Sequence, residues 1–305
     1  MKNVIVVTGA TGHVGHELAE RLLTAGQTVR AVARGAEKLR PLGARGAEAR
    51  PGSLDDRAFL TGVFRGAGGV FAMIPPHYAA QDARAEQRKV AESLVAAVRD
   101  SGVKHVVTLS SFGAELPDKT GPIAGLHVLE ELLDKVPGLN VVHLRAGYFM
   151  ENLLGSLGVI KNAGINGSAV KPDVPVPMVA TRDIAAVAAE YLAKLDFKGR
   201  NVRYVLGPKD YTMTEATRIL GASIGKPDLK YVEFPEADFK KGLLGAGFSA
   251  NMADLFLEMS RGLNTGLIKG EARSRTNTTP TTLDEFARTV FAPAFKGVPS
   301  AQAVS

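Results

Sequence analysis

The 305-residue chain is 45% apolar and 22% charged, so wholesale disorder is excluded and one or two packed domains are expected. It has no cysteine, which removes disulfide scaffolds, thiolate metal sites and cysteine nucleophiles together. The formal charge is +6, and six basic side chains against two acids (Glu37, Glu48) in Thr28–Gly52 supply +4 of it.

Those six are Arg30, Arg34, Lys38, Arg40, Arg45 and Arg50, with no aromatic residue among them. Such a surplus suits a small phosphate-bearing ligand better than nucleic acid, whose bases need stacking partners. No apolar run approaches the roughly 18–20 residues of a membrane helix. Lys2 and Val4–Val7 resemble the start of a signal peptide, but Thr8–Gly9 interrupts the run. A cytoplasmic protein without membrane or nucleic-acid partners is expected.

Apolar runs at Val4–Val7, Val29–Ala33, Val70–Ile74, Val106–Leu109 and Val141–Leu144, with a weaker one at Ala47–Arg50, read as strands. They are apolar throughout, as strands covered on both faces are. Helices are predicted between them at His13–Ala25, Asp55–Gly62, Ala80–Ser101 and Ile123–Val136, with Gly26 and Gly102 as C-terminal stops. This alternation predicts parallel strands joined by crossover helices. Beyond Phe149 the rhythm changes. Leu157–Val170 reads as a loop, and Lys171–Met178, with three prolines, as an edge strand. Asp183 is placed to cap a helix ending near Lys194, and Val202–Leu206 reads as a further strand. Thr212 with Glu215, and Thr282 with Glu285, have capping-box spacing, and Phe248–Leu263 reads as helical.

Val4–Val7 runs into Thr8-Gly9-Ala10-Thr11-Gly12-His13-Val14-Gly15, a strand, a glycine-rich turn and a helix start in succession. That context gives each glycine a task. Gly9 turns the chain, Gly12 admits a pyrophosphate to the backbone, and Gly15 lets helix and strand pack closely. The amides of Thr11, His13 and Val14 would then face the phosphates. The fold class expected is α/β, a Rossmann-like doubly wound parallel sheet with a smaller C-terminal α/β substrate region. Residues 1–152, with 178–206 returning, form the nucleotide-binding part. Residues 153–177 and 207–291 form the substrate region, and 292–305 a frayed tail.

The acid expected about 20 residues beyond such a turn, which binds the adenosine ribose, is absent. The second strand ends Ala31-Val32-Ala33-Arg34 instead, with Lys38 one helical turn on. Arg34 and Lys38 suit a ribose 2′-phosphate, so NADP(H) is expected over NAD(H), which remains possible.

The glycine turn, the stretch Arg50-Pro51-Gly52-Ser53-Leu54-Asp55 and the stretch Leu144–Asn152 together resemble the NmrA-like branch of the atypical short-chain dehydrogenases/reductases. The resemblance spans about residues 3–225. The branch includes NADPH-dependent quinone and azo-dye reductases and non-catalytic NADP-sensing regulators. It implies a reductase passing hydride to a quinone-like, azo or other conjugated acceptor, with a sensor or, further off, a sugar-nucleotide epimerase or dehydratase as alternatives. It also implies adenine contacts at Ser53 and Leu54, where Ser53 stands in place of the usual acid.

No tyrosine has a lysine four positions on, so the pair that ordinary short-chain dehydrogenases use for proton exchange is missing. The matching helix instead carries His127 and Glu131 on one face. Their His-x-x-x-Glu arrangement resembles that of the quinone and azo reductases and makes His127 a candidate proton donor. Ser110 and Ser111 end the fifth strand, and Met73, Ile74 and Pro75 end the fourth, where ligands sit in open α/β sheets. Ser111 is a candidate hydrogen-bond donor to substrate, and the others flank the nicotinamide. Tyr148, Phe149 and Asn152 suit the wall of a pocket for a flat acceptor. His13 and His16 lack a third ligand, so no metal site is expected. Nothing distinguishes a monomer from a homodimer.

Overall fold

β-Branched and small residues dominate the apolar runs of the first half, and each run becomes a strand, largely buried except for the weak run Ala47–Arg50, which forms a mostly exposed edge strand. The computed structural model describes residues 3–297. In chain order it contains β1 (Val4–Thr8), α1 (His13–Thr24), β2 (Thr28–Ala33), α2 (Ala36–Ala44), β3 (Glu48–Pro51) and α3 (Arg57–Phe64). There follow β4 (Gly69–Ala72), α4 (Ala83–Ser101), β5 (His105–Ser111), α5 (Ala124–Asp134) and β6 (Asn140–Ala146). A further strand, Arg200–Val205, completes a seven-stranded sheet in which β3, β2, β1, β4, β5 and β6 lie in that order and Arg200–Val205 closes the far edge. Every pairing in it is parallel.

The two faces are covered by different helices, as a doubly wound sheet requires. On one face α1 presents Val14, Leu18 and Leu22, and the helix Thr181–Lys194 presents Ile184, Ala185, Ala188 and Leu192. On the other, Leu60 and Phe64 of α3, Leu94 and Val98 of α4, and Leu129 and Leu133 of α5 pack against Val6, Val70, Val106 and Val141. A third apolar cluster, built around Met150, Met178, Tyr211, Phe286 and Phe291, lies in the C-terminal half. A three-stranded sheet, with Val176–Val179 between Tyr148–Phe149 and Asp210–Tyr211, packs beside it.

Several sequence expectations are corrected. Ala36–Ala44 is helical although Pro41 lies inside it, and only Leu39 and Leu42 are buried, so its apolar stripe is thin. Leu157–Ala163 is a helix rather than a loop, and Ile165–Ser168 a strand paired with Lys230–Glu233. The proline-containing Val176–Val179 is a central strand, not an edge. Its neighbours are only two residues long, so Pro177 leaves few ladder bonds unmade. The helix Thr181–Lys194 starts without a side-chain cap, because the Asp183 carboxylate instead accepts from the amide and hydroxyl of Thr281 at 3.0 and 2.7 Å. Glu236–Gly245 is a helix that the periodicity does not reveal, since none of its residues is buried. The expected tail begins as helix at Ala292–Phe295, where Phe295 packs on the C-terminal cluster beneath Lys161 and Lys226. Residues 298–305 of that tail, and Lys2, lie outside the described residues. Thr212 and Thr282 do cap their helices, accepting from the Glu215 and Glu285 amides at 3.1 Å.

A charged group sits at the joint between β5, α5 and β6. Arg145 forks onto Glu130, Nε to Oε1 at 3.2 Å and Nη2 to Oε2 at 2.7 Å, and Ser110 donates to the same carboxylate at 2.5 Å. Burial works against the Arg145 charge, but the Glu130 carboxylate outweighs it and holds the guanidinium protonated. Removing one partner from such a buried pair leaves the other uncompensated. Arg145→Ala is therefore expected to lose about 3–5 kcal/mol, read from urea unfolding, whereas Arg145→Met with Glu130→Leu recovers most of that loss.

Candidate active site

Because the large sheet is wholly parallel, the carboxyl ends of its strands lie along one edge. There the loops after β1, β2, β3, β4, β5 and β6 converge. The strand order reverses direction between β1 and β4, and ligands of open α/β sheets bind outside such a switch point. Thr8 fastens the two strand ends together: its hydroxyl donates to the Phe71 carbonyl at 2.9 Å and accepts from the Met73 amide at 3.2 Å.

The turn after β1 is defined by its glycines. Gly9 has φ +64°, and a side chain there would also run into the Met73 sulfur. At Gly15 an added Cβ would lie 2.2 Å from the Gly9 carbonyl oxygen, so α1 approaches the turn at a distance only glycine permits. Gly12 differs. Its φ is −89°, and a Cβ would meet nothing nearer than the Gly9 oxygen at 3.5 Å, so protein packing alone does not require glycine there. Gly12 is exposed and is the N-cap of α1, makes no side-chain cap bond, and is followed by no acid in the first turn. Thr11, Gly12, His13 and Val14 thus surround a helix start whose donors suit an anion.

The basic stretch is less free than its charge suggests. Arg30 and Arg50 pair with Glu48, Arg40 with Glu37, and Arg45 with Glu20. Arg34, exposed just past β2, pairs with no carboxylate among the described residues. Lys38 is exposed one turn into α2. Ser53 is half-buried past β3, and Leu54 packs into the core beneath α3 and α4. The neighbouring acids are occupied, Asp55 with Lys89 at 2.7 Å and Asp56 as the cap of α3. The Lys89 ammonium, with a hydrogen bond from Ser53, holds the Asp55 carboxyl below its usual range.

Past β4, Met73 lies against the turn, Ile74 is buried and Pro75 half-buried. At the end of β5 the two serines diverge. The Ser110 hydroxyl is buried under α5 on Glu130, so only its backbone is available to a ligand, while Ser111 is half-buried and donates to the Phe112 carbonyl at 3.0 Å. A turn from Ser111 to Ala114 (amide to carbonyl 3.1 Å) brings the Ala114 carbonyl to His127, whose Nδ1 lies 2.8 Å from it. A carbonyl only accepts, so Nδ1 carries the proton and Nε2 is the position that gains or loses one. Nε2 is 3.8 Å from Glu131, which is 54% exposed and equally far from Lys135. That is a weak, solvent-screened contact.

Two features were not assigned from sequence. Glu151, buried past β6, accepts from the Thr181 amide at 3.1 Å and hydroxyl at 2.6 Å, anchoring the start of the helix Thr181–Lys194. Burial pushes its carboxyl up, and these bonds together with the nearby His13 oppose the rise. It lies inside the quoted stretch Leu144–Asn152, but nothing in its spacing distinguishes it. The other feature is an aromatic wall in which the Tyr78 ring stacks on Phe248 at 4.6 Å and meets Phe256 at 6.3 Å. Tyr148 is half-buried between the strand ends and this C-terminal region, and Asn152 is exposed nearby in sequence. Among the described residues, no group of three or more metal-ligating side chains converges, and no helix is long and apolar enough to cross a membrane.

Sheet order, switch point and uncapped helix start together define a doubly wound α/β protein of the Rossmann type. Residues 1–287 match the NmrA-like family, and the chain belongs to it. A (4-alkanoyl-5-oxo-2,5-dihydrofuran-3-yl)methyl phosphate reductase of Streptomyces griseus is 34% identical over 86% of this chain and 88% of its own length. An NAD(P)H azoreductase of Xenophilus azovorans is 29% identical over 84% of this chain and 86% of its own. The structure of the NADPH-dependent quinone oxidoreductase QOR2 of Escherichia coli, complexed with NADPH, superposes with a TM-score of 0.80 at 24% identity. It covers 94% of this chain and 99% of that one.

The two glycines separate folding from binding. Gly15→Ala is expected to lower the melting temperature sharply, because backbone must move. Gly12→Ala should cost about 1 kcal/mol or less yet weaken dinucleotide binding at least tenfold, measured by calorimetric titration.

Proposed function

We propose that this protein is an NAD(P)H-dependent oxidoreductase, preferring NADPH, that reduces quinone-like, azo or other conjugated small molecules. The observation that carries the reading is the start of α1 at the switch point without a side-chain cap, with Arg34 pairing with no carboxylate among the described residues and no acid at the end of β2. The amides at the start of α1 fit a pyrophosphate, and the guanidinium fits a ribose 2′-phosphate through two donors at once. Relatives named as reductases, one of them an NAD(P)H azoreductase, support the same chemistry. Residues 1–152, with 178–206 returning, hold the coenzyme; residues 153–177 and 207–291 wall the acceptor. The protein works on small molecules in the cytoplasm, as a monomer or homodimer.

The coenzyme, when bound, supplies the hydride, and the chain's own residues orient and protonate. Gly9, Thr11, Gly12, His13, Val14 and Gly15 hold the pyrophosphate, Arg34 and Lys38 the ribose phosphate, and Ser53 with Leu54 border the adenine. Met73, Ile74 and Pro75, the backbone of Ser110, and Tyr148 border the nicotinamide. Ser111 donates to the acceptor. His127 gives a proton from Nε2, its ring fixed through Nδ1 on Ala114. Glu131, at 3.8 Å and largely in solvent, tunes this only slightly.

NADPH oxidation on adding 1,4-naphthoquinone or an azo dye tests the reading. Steady turnover supports it, and a silent acceptor panel with intact NADPH binding favours a non-catalytic sensor instead. Arg34→Ala is expected to raise KM for NADPH about tenfold or more while leaving NADH nearly unchanged. His127→Ala should lower kcat about 100-fold, and Glu131→Gln less than threefold.

A further inference from the structure

The six tyrosines are not equivalent. Tyr204 donates to Glu115 at 3.1 Å, Tyr211 accepts the Leu283 amide at 3.1 Å, and Tyr231 donates to the Val170 carbonyl at 2.6 Å. Each of these phenols is spent on the fold. Tyr148 is half-buried, its ring packed against the C-terminal apolar cluster, yet among the described residues its hydroxyl makes no hydrogen bond. Among the described residues the sealed-off polar atoms without a partner do not include it, so the hydroxyl reaches open space while its ring is packed.

Its position gives the hydroxyl a use. Tyr148 lies two residues beyond β6 and is held by pairing with Met178, so its backbone is fixed by a strand. Its ring packs on the C-terminal cluster to which Tyr231 also belongs, and Tyr231 and Tyr78 both act on its phenol electrostatically. Burial, reinforced by those two phenols, pushes its pKa up beyond the ordinary phenol range, so the O–H stays protonated and is available as a donor.

We infer that the Tyr148 hydroxyl is the hydrogen-bond donor that grips the acceptor's carbonyl oxygen or azo nitrogen, the atom on which negative charge gathers during reduction. This rests on the reductase reading and adds to it the acceptor class: a flat conjugated molecule with a hydrogen-bond-accepting heteroatom at the end that faces Tyr148. A preorganised donor aimed at developing charge acts mainly on the rate. It contributes nothing to the fold, because no protein group depends on it.

Tyr148→Phe in the full chain is the test, with 1,4-naphthoquinone as acceptor and 4-nitrophenolate as an unreactive probe. The expected result is a melting temperature no lower than wild type and a kcat lowered about 100-fold, with the KM for NADPH changed far less than kcat. Bound 4-nitrophenolate should absorb at longer wavelength in the variant, because its oxygen has lost a donor. Equal kcat, equal probe spectra in both proteins, or no probe binding by wild type would overturn the assignment. A wild type that binds and shifts the probe but never oxidises NADPH would instead sink the reductase reading and leave the Tyr148 contact standing.

Discussion

The approach of α1 to the turn after β1 is the constraint on which the rest depends. With the Gly9 carbonyl lying where a side chain at Gly15 would have to be, the helix can begin only on top of the turn, aimed at the switch point. Its first amides are then left without a cap from the protein. A helix start that is exposed, uncapped and free of acids is a poor choice for stability and a good one for a diphosphate. Apolar packing under the helix, through Val14, Leu18 and Leu22, supplies the stability that the cap does not.

A second set of contacts joins the C-terminal half to that edge. Ser249 caps the helix Ala250–Asn264, and its amide donates to the Tyr78 carbonyl at 2.9 Å. From the same helix Asn251 accepts the Ala83 amide at 2.9 Å, and Glu258 receives Arg84 at 2.8 Å. The loop after β4 is thus held between the sheet and the helix Ala250–Asn264, with Tyr78, Phe248 and Phe256 packed across the joint. Holding that loop fixes Met73 against the turn after β1. Orientation of this kind is most of what hydride chemistry asks of a protein.

The parallel sheet and its ligand edge were legible because their signals are local. Val4–Gly15 carries strand, turn and helix within one stretch, and the absence of an acid beside Arg34 is read directly. What escaped reading depends on residues far apart in the chain. Asp183 has the right type and place for a cap, but Thr281, 98 residues away, takes its carboxylate. Ser110 and Ser111 look alike in sequence, and the alternation of the strand sends the first under α5 to Glu130. Val176–Val179 becomes a central strand only because Tyr148–Phe149 and Asp210–Tyr211 arrive on both sides. The six-fold basic run looked like one patch. Carboxylates of Glu20, Glu37 and Glu48 pair with four of its arginines and leave Arg34 without a carboxylate partner among the described residues.

Calorimetric titration of the purified wild-type protein with NADPH and with NADH measures the central claim most directly. The account predicts saturable one-site binding to both coenzymes, with NADPH at least tenfold tighter. Tighter binding of NADH would contradict the assignment of Arg34, and no heat and no thermal upshift with either coenzyme would contradict the account as a whole.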